Sequence, residues 1–100
     1  MGRKKLSNPH GFLDYRLAPG GTCEIVDIEV VHEFRGQGVG RSMLAELEAI
    51  PGVLVIYAFT GADNFIAHDF YRHCGFDLYF VPHFYGMQRD AYLCVKVLNG

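Results

Sequence analysis

Residues 28–44 read "IEVVHEFRGQGVGRSML", and their reading decides how the rest of the chain divides. The first residues alternate in the two-residue period of a strand. Gly36, Gly38 and Gly40 follow, set between Arg35 and Arg41. From Met43 the period changes: Met43, Leu44, Leu47 and Ile50 recur at helical spacing, and Pro51-Gly52 stops the helix. The stretch is therefore a strand, a glycine loop and a helix. Glycine allows positive φ and close approach of backbone N–H groups. The helix start adds unsatisfied N–H groups and the positive end of its dipole. Such a turn suits an anion, phosphate above all. A cation in the first helical turn, Arg41, is unfavourable by itself. A bound anion would remove the conflict, and Arg35 on the other side of the loop fits the same reading. A tight turn with solvated arginines is the plainer alternative.

Working outward, residues 12–18 alternate as a strand, residues 19–21 are a turn and residues 22–31 form a second strand, together a hairpin. Unbroken alternation puts Val26, Ile28 and Val30 on one face and Ile25, Asp27 and Glu29 on the other. The apolar run 53–59 reads as a central strand covered on both sides. Asp63 suits an N-cap for a helix over 64–74, with Ile66, Ala67, Phe70 and Cys74 facing inward and Gly75 ending it. Strands over 76–81 and 91–98 flank an irregular connection, 82–90. The order β-β-α-β-α-β-β predicts an α/β (α+β) fold with a mixed sheet. Residues 1–10 read as a flexible tail and 11–100 as a single domain.

The chain has 100 residues, half of them hydrophobic, and a formal net charge of -2. That fits one small core and gives no basic surplus for nucleic acid. No apolar run approaches the roughly 20 residues that cross a bilayer, and no segment has the apolar stretch of a signal peptide. Leu6 stands where a myristoylation signal needs Ser or Thr. Cys23, Cys74 and Cys94 are isolated and odd in number, as expected of reduced thiols in a cytoplasmic protein. His68 and His73 are five residues apart, out of step for a metal pair, so no metal is expected.

The loop lacks the Gly-Lys-Ser/Thr ending of an ATP loop, and its G-x-G-x-G is one residue out of step with a dinucleotide fingerprint. What remains is [RQ]-x-x-G-x-[GA], here Arg35-Gly36-Gln37-Gly38-Val39-Gly40. This resembles the pyrophosphate loop of the GCN5-related N-acetyltransferases (GNAT). "NFIAHDFYRHCGF", residues 64–76, is similar to that family's later signature, N-x-x-A-x-x-[FL]-Y-x-x-x-G-F. The two segments stand in the family's order and separation, and the resemblance covers residues 22–99.

The resemblance implies a bulged strand before the loop, splayed from the next parallel strand. Acetyl-coenzyme A would lie in that gap, with Ile28 and Val30 offering main-chain groups to its pantetheine arm and residues 35–41, Arg35, Gly36, Gln37, Gly38, Val39, Gly40 and Arg41, holding its pyrophosphate. Asn64 resembles the asparagine that touches the arm, or is a simple cap. Tyr71 occupies the family's tyrosine position, the acid for the departing thiolate, or is a core aromatic. The N–H of Val30 is the candidate oxyanion donor. Glu24 is the first candidate base, Glu29 the second and Asp27 the third; some members rely on ordered water. The implied activity is acetyl transfer from acetyl-coenzyme A to a primary amine, in a protein acceptor by preference, by direct attack in a ternary complex. A non-catalytic coenzyme A-binding module is the alternative. Typical members place a strand and two helices before the first hairpin, and those helices wall the acceptor site. About twenty residues precede Thr22 here, room for one strand and a tail. A homodimer or a partner chain would then complete the acceptor site, or a macromolecular acceptor would dock on an open cleft. His83, Phe84 and Tyr85 lie where acceptor-binding segments often fall.

Overall fold

The computed structural model describes residues 2–98. Met1 and residues 99 and 100, the ends of the two expected ranges, lie outside it. Six strands form one sheet in the order β1-β2-β3-β4-β6-β5, where β1 is Arg3–Asn8, β2 Gly11–Ala18, β3 Thr22–Val30, β4 Val55–Gly61, β5 Asp77–Val81 and β6 Ala91–Val97. Helix α1, Val39–Glu48, joins β3 to β4, and α2, Phe65–His73, joins β4 to β5. Among the described residues only β3 and β4 are parallel neighbours, and every other pair is antiparallel. The expected mixed sheet with two helices is what forms, with one strand more at its start.

That strand, β1, corrects the expected tail. Residues 3–8 pair in full with β2, Arg3 opposite Arg16 through Asn8 opposite Gly11. Three consecutive cations and a single apolar residue, Leu6, do not look like a strand. Their reason lies across the ladder: Asp14 of β2 is buried, and Arg3 and Lys5 each approach its carboxylate to 3.8 Å. A buried carboxylate needs such company. Two strands, not one, therefore precede Thr22.

Both helices pack on one face of the sheet. Met43, Leu44 and Leu47 of α1 and Tyr71 of α2 share one core with Leu13, Tyr15, Cys23, Ile25, Ile56, Ala58 and Cys94. Burying a side chain of the Leu or Met kind is worth about 1.5–3 kcal/mol, so this cluster is what seats α1. On α2 the buried positions are His68 and Tyr71, while Ile66, expected inside, is 78% exposed. His68 Nε2 lies 2.9 Å from the carbonyl of Gly61, which ties the helix to the end of β4.

The alternation of β3 breaks in the middle. Tyr15 pairs with Ile25, but Asp14 pairs with Asp27, leaving Val26 as an extra residue. The bulge reverses the side-chain parity. Cys23 and Ile25 thus share the helix face with Ile28 and Val30, and Glu24 shares the opposite face with Asp27 and Glu29. The expected grouping of Ile25 with Asp27 and Glu29 fails for this reason. The opposite face also carries Tyr57, Phe59, Leu93 and Val95, which pair across the ladder. Phe84 of the 82–90 connection stacks on Phe59 there, with ring centroids 4.2 Å apart. Central β4 is accordingly buried on its helix side and only half-buried on the other.

Candidate functional site

Strands β3 and β4 make a V. Their ladder holds only at one end, Thr22 with Val55, Cys23 with Ile56 and Glu24 with Tyr57. Gly21 pins that end, its carbonyl accepting from the N–H groups of Leu54 at 2.7 Å and Val55 at 3.1 Å. From the bulge onward the strands part. The N–H of Val31 bonds back to His10 of the β1–β2 turn at 2.8 Å. Backbone groups alternate in direction along a strand, so Val30 and Ile28 direct theirs toward β4, across the gap. The Val30 carbonyl accepts from Arg35 Nε at 3.1 Å.

The glycine loop closes the wide end. Gly36 and Gly38 have φ of 76° and 85°, values that only glycine adopts at little cost. A Cβ on either would meet nothing within 4 Å, so conformation rather than crowding calls for glycine at both. Gly40 differs: a Cβ there would stand 2.8 Å from the Phe70 ring, so its small size lets α1 approach α2. Ser42 makes the first intrahelical bond, to Gly38 at 2.9 Å. The N–H groups of Val39, Gly40 and Arg41 thus lack helical partners. No side chain caps them, and the first turn holds no acidic residue.

A cleft of about 880 Å³ runs between the loop, the parted strands and α2. It gathers Ile28, Val30, Arg35, Gly36, Gly38, Val39, Gly40, Arg41, Asn64 and Tyr71, with Asp27 and Glu29. Gln37 does not border it; its Nε2 donates to the Glu33 carbonyl at 3.2 Å, bracing the turn that precedes the loop. Glu24 does not border it either. It sits at the closed end of the V, 3.6 Å from Arg16 Nε, beside Tyr57. Burial and then the Glu24 charge raise the Tyr57 phenol above its ordinary range. Thr60 borders the cleft from β4 and is buried, its Oγ1 3.9 Å from Cys94 Sγ. A strand read only to residue 59 misses it, because Thr-Gly looks like a turn.

Three side chains carry the site's local logic. Tyr71 is buried, packed between the Phe70 and Phe76 rings at 5.2 and 5.0 Å. Burial foremost, then the neighbouring Cys94, Cys74 and Asp27, pushes its phenol well above the usual range, so it stays protonated at neutral pH. Asn64, not Asp63, caps α2: its Oδ1 accepts from the Ala67 N–H at 3.2 Å. Arg41 is not simply a cation waiting for an anion. Its Nη2 donates to the His73 carbonyl at the end of α2, at 2.6 Å. A positive charge is favoured at a helix C-terminus, so this contact offsets the misfit at the start of α1.

The fold has relatives of known structure. Ard1 from Thermoplasma volcanium superposes with a TM-score of 0.78 at 22% identity, covering 91% of this chain and 64% of that one. NAA60 from Arabidopsis thaliana, solved with a bisubstrate analogue, gives 0.74 at 24%, covering 91% and 66%. A GNAT family acetyltransferase from Elizabethkingia anophelis, solved with acetyl-CoA bound, gives 0.74 at 22%, covering 89% and 69%. The chain thus spans about two thirds of the length of these relatives. No curated protein matches it. Residues 4–76 match the sequence profile of the acetyltransferase (GNAT) family, a span holding all of β1 but Arg3, the bulged strand, the glycine loop and all of α2. The chain belongs to the GNAT acetyltransferase family.

Proposed function

We propose that the chain is an N-acetyltransferase that moves the acetyl group of acetyl-coenzyme A to a primary amine, by direct attack with both substrates held together. The observation that carries this is the coincidence, in one cleft, of uncapped N–H groups at the start of α1 and a sheet that opens beyond Glu24 and Tyr57. The loop N–H groups and the two arginines suit a pyrophosphate; the free edge of β3 suits an amide-rich arm. Acetyl-coenzyme A would supply an activated thioester.

The chain's own residues then have distinct tasks. The Val30 N–H, directed across the gap, donates to the carbonyl oxygen as charge grows on it. Tyr71 donates toward the sulfur. A phenol held above its ordinary pKa of about 10 is a poor acid for a thiol of ordinary pKa, about 8.5. Burial lifts a thiol too, as it pushes Cys23 up to about 11, so a thiolate leaving inside the cleft narrows the mismatch. An amine of ordinary pKa about 10.4 must lose a proton before it attacks. Glu29 and Asp27 border the cleft and can accept it directly; Glu24, behind the closed end, would need a water relay. The ranking of bases becomes Glu29 and Asp27 ahead of Glu24. A protein acceptor is favoured because no helix covers the sheet's outer face among the described residues, leaving the cleft open on that side.

The test is transfer of isotopic label from acetyl-coenzyme A in a cell extract. Label on an amine that falls sharply in Tyr71→Phe supports the reading. Tight coenzyme A binding with no transfer of label overturns it in favour of a binding module.

A further inference from the structure

The end of α2 is fully accounted for, and by whom is informative. The Phe70 carbonyl takes the Cys74 N–H, Tyr71 takes Phe76 and Arg72 takes Gly75. The last two carbonyls have no backbone donor among the described residues. His73 accepts from Arg41 at 2.6 Å, and Cys74 accepts from Lys96 Nζ at 2.8 Å. Lys96 is a fixed post on β6, also bonded to Glu48 of α1 at 3.1 Å. Arg41 is different, because it belongs to the first turn of α1 and borders the cleft together with His73. A guanidinium has five N–H donors, and the contact with His73 uses one. A second contact runs in parallel: Gly40 meets the Phe70 ring with no room for a methyl group. The loop is therefore keyed to the last turn of the helix that carries Tyr71, once by a charge-assisted bond and once by packing.

We propose that Arg41 is a positioning residue that couples occupancy of the glycine loop to α2. An anion on the loop draws the guanidinium's remaining donors and fixes its side chain. The bond to His73 then holds the last turn of α2, and with it the phenol of Tyr71. The proposal rests on the loop taking a diphosphate. It adds that phosphate binding orders the helix bearing the acid, so a thioester with no phosphate would find that helix less well held.

Inorganic pyrophosphate is the probe, since it can fill the loop without touching Asn64 or the strand edge. Amide hydrogen exchange is followed at residues 36–41 and 71–76 in the wild type and in Arg41→Lys, Arg41→Gln and Arg41→Met. In the wild type both segments respond, and exchange at 71–76 slows by about tenfold. With pyrophosphate raised in each variant until the response at 36–41 saturates, the response at 71–76 weakens in the order Lys, Gln, Met. Lys retains a charged donor, so substantial rescue by Arg41→Lys is expected whatever becomes of the Met variant. A wild-type response confined to 36–41, or equal slowing at 71–76 in wild type, Lys and Gln, overturns the coupling. No response at 36–41 in the wild type overturns the anion reading first, and the coupling falls with it.

Discussion

The two helix starts that face the cleft are finished in opposite ways. At the start of α2, Asn64 occupies one orphan N–H with its own side chain. At the start of α1, Gly38 offers no side chain, the first turn has no carboxylate, and no side chain among the described residues caps the N–H groups. A cap normally contributes about 1 kcal/mol, so α1 goes without a stabilisation that α2 has. The uncapped start is where a ligand belongs. A helix that needs only to be a helix is capped internally; one that receives an anion keeps its donors free. The closed and open ends of the β3–β4 pair repeat the lesson in the sheet, one satisfied by its ladder and one left exposed.

The largest break in this contrast is Gly38→Val. Position 38 has φ of 85°, and a β-branched residue there carries the full left-handed cost. The loop relaxes and its N–H groups cease to converge. Coenzyme A affinity, read by calorimetry, should fall about 100-fold, equivalent to about 2.7 kcal/mol. The core lies elsewhere, so the melting temperature should drop by less than about 15 °C. Unchanged affinity would remove the loop from the site.

Next comes Tyr71→Phe, which tests the helix that is finished internally. Loss of the hydroxyl should lower kcat by about 10- to 100-fold, at or below the low end for acid catalysis, with little change in KM for acetyl-coenzyme A. An equal loss in kcat/KM through KM alone would make Tyr71 a packing residue. The same phenol leaves a mark on stability. Its folded pKa is raised, so its contribution is present in full below about pH 10, the unfolded value, and is lost as pH climbs toward the raised one. Alkaline denaturation monitored by circular dichroism should therefore be shallower above pH 10 in Tyr71→Phe than in the wild type.

The contrast between the helix starts also explains what the sequence discloses. The glycines of the loop, the period change after Gly40 and the Asn64-to-Phe76 pattern are local signals, and each marks an element that forms. The bulge at Val26 is not local. The resemblance implies a bulge in this strand, but "CEIVDIEV" alternates plausibly either way, and only the pairing of Asp14 with Asp27 places the slip that brings Glu24 and Glu29 onto one face. β1 is hidden for a similar reason, because Arg3 and Lys5 are explained by Asp14, a partner in another strand. Arg41 looks misplaced in a sequence that cannot show His73 beside it. What failed to be legible is in each case a contact between elements.

Asn64→Ala removes the cap of α2 while leaving α1 alone. It should cost about 1 kcal/mol, seen as a melting temperature lower by about 4–8 °C for a chain of this size. Coenzyme A affinity should change less than about threefold if capping is the main task of Asn64. A loss of affinity tenfold or greater with an unchanged melting temperature would instead make Asn64 a ligand contact.

The smallest effect separates two reasons for glycine at the start of α1. Gly38→Asn keeps the left-handed conformation, which Asn tolerates better than most residues, but adds a side chain where the anion would approach. The space around position 38 is open, with nothing within 4 Å of a Cβ. If conformation is what the site needs, affinity for coenzyme A should fall only about three- to fivefold, under about 1 kcal/mol. If the anion must lie directly against the backbone at this residue, Asn should be as damaging as Val. The ratio of the two dissociation constants, Val over Asn, therefore reads the role of the glycine directly, and a value near one would mean that close approach, not φ, is why the helix start carries no side chain.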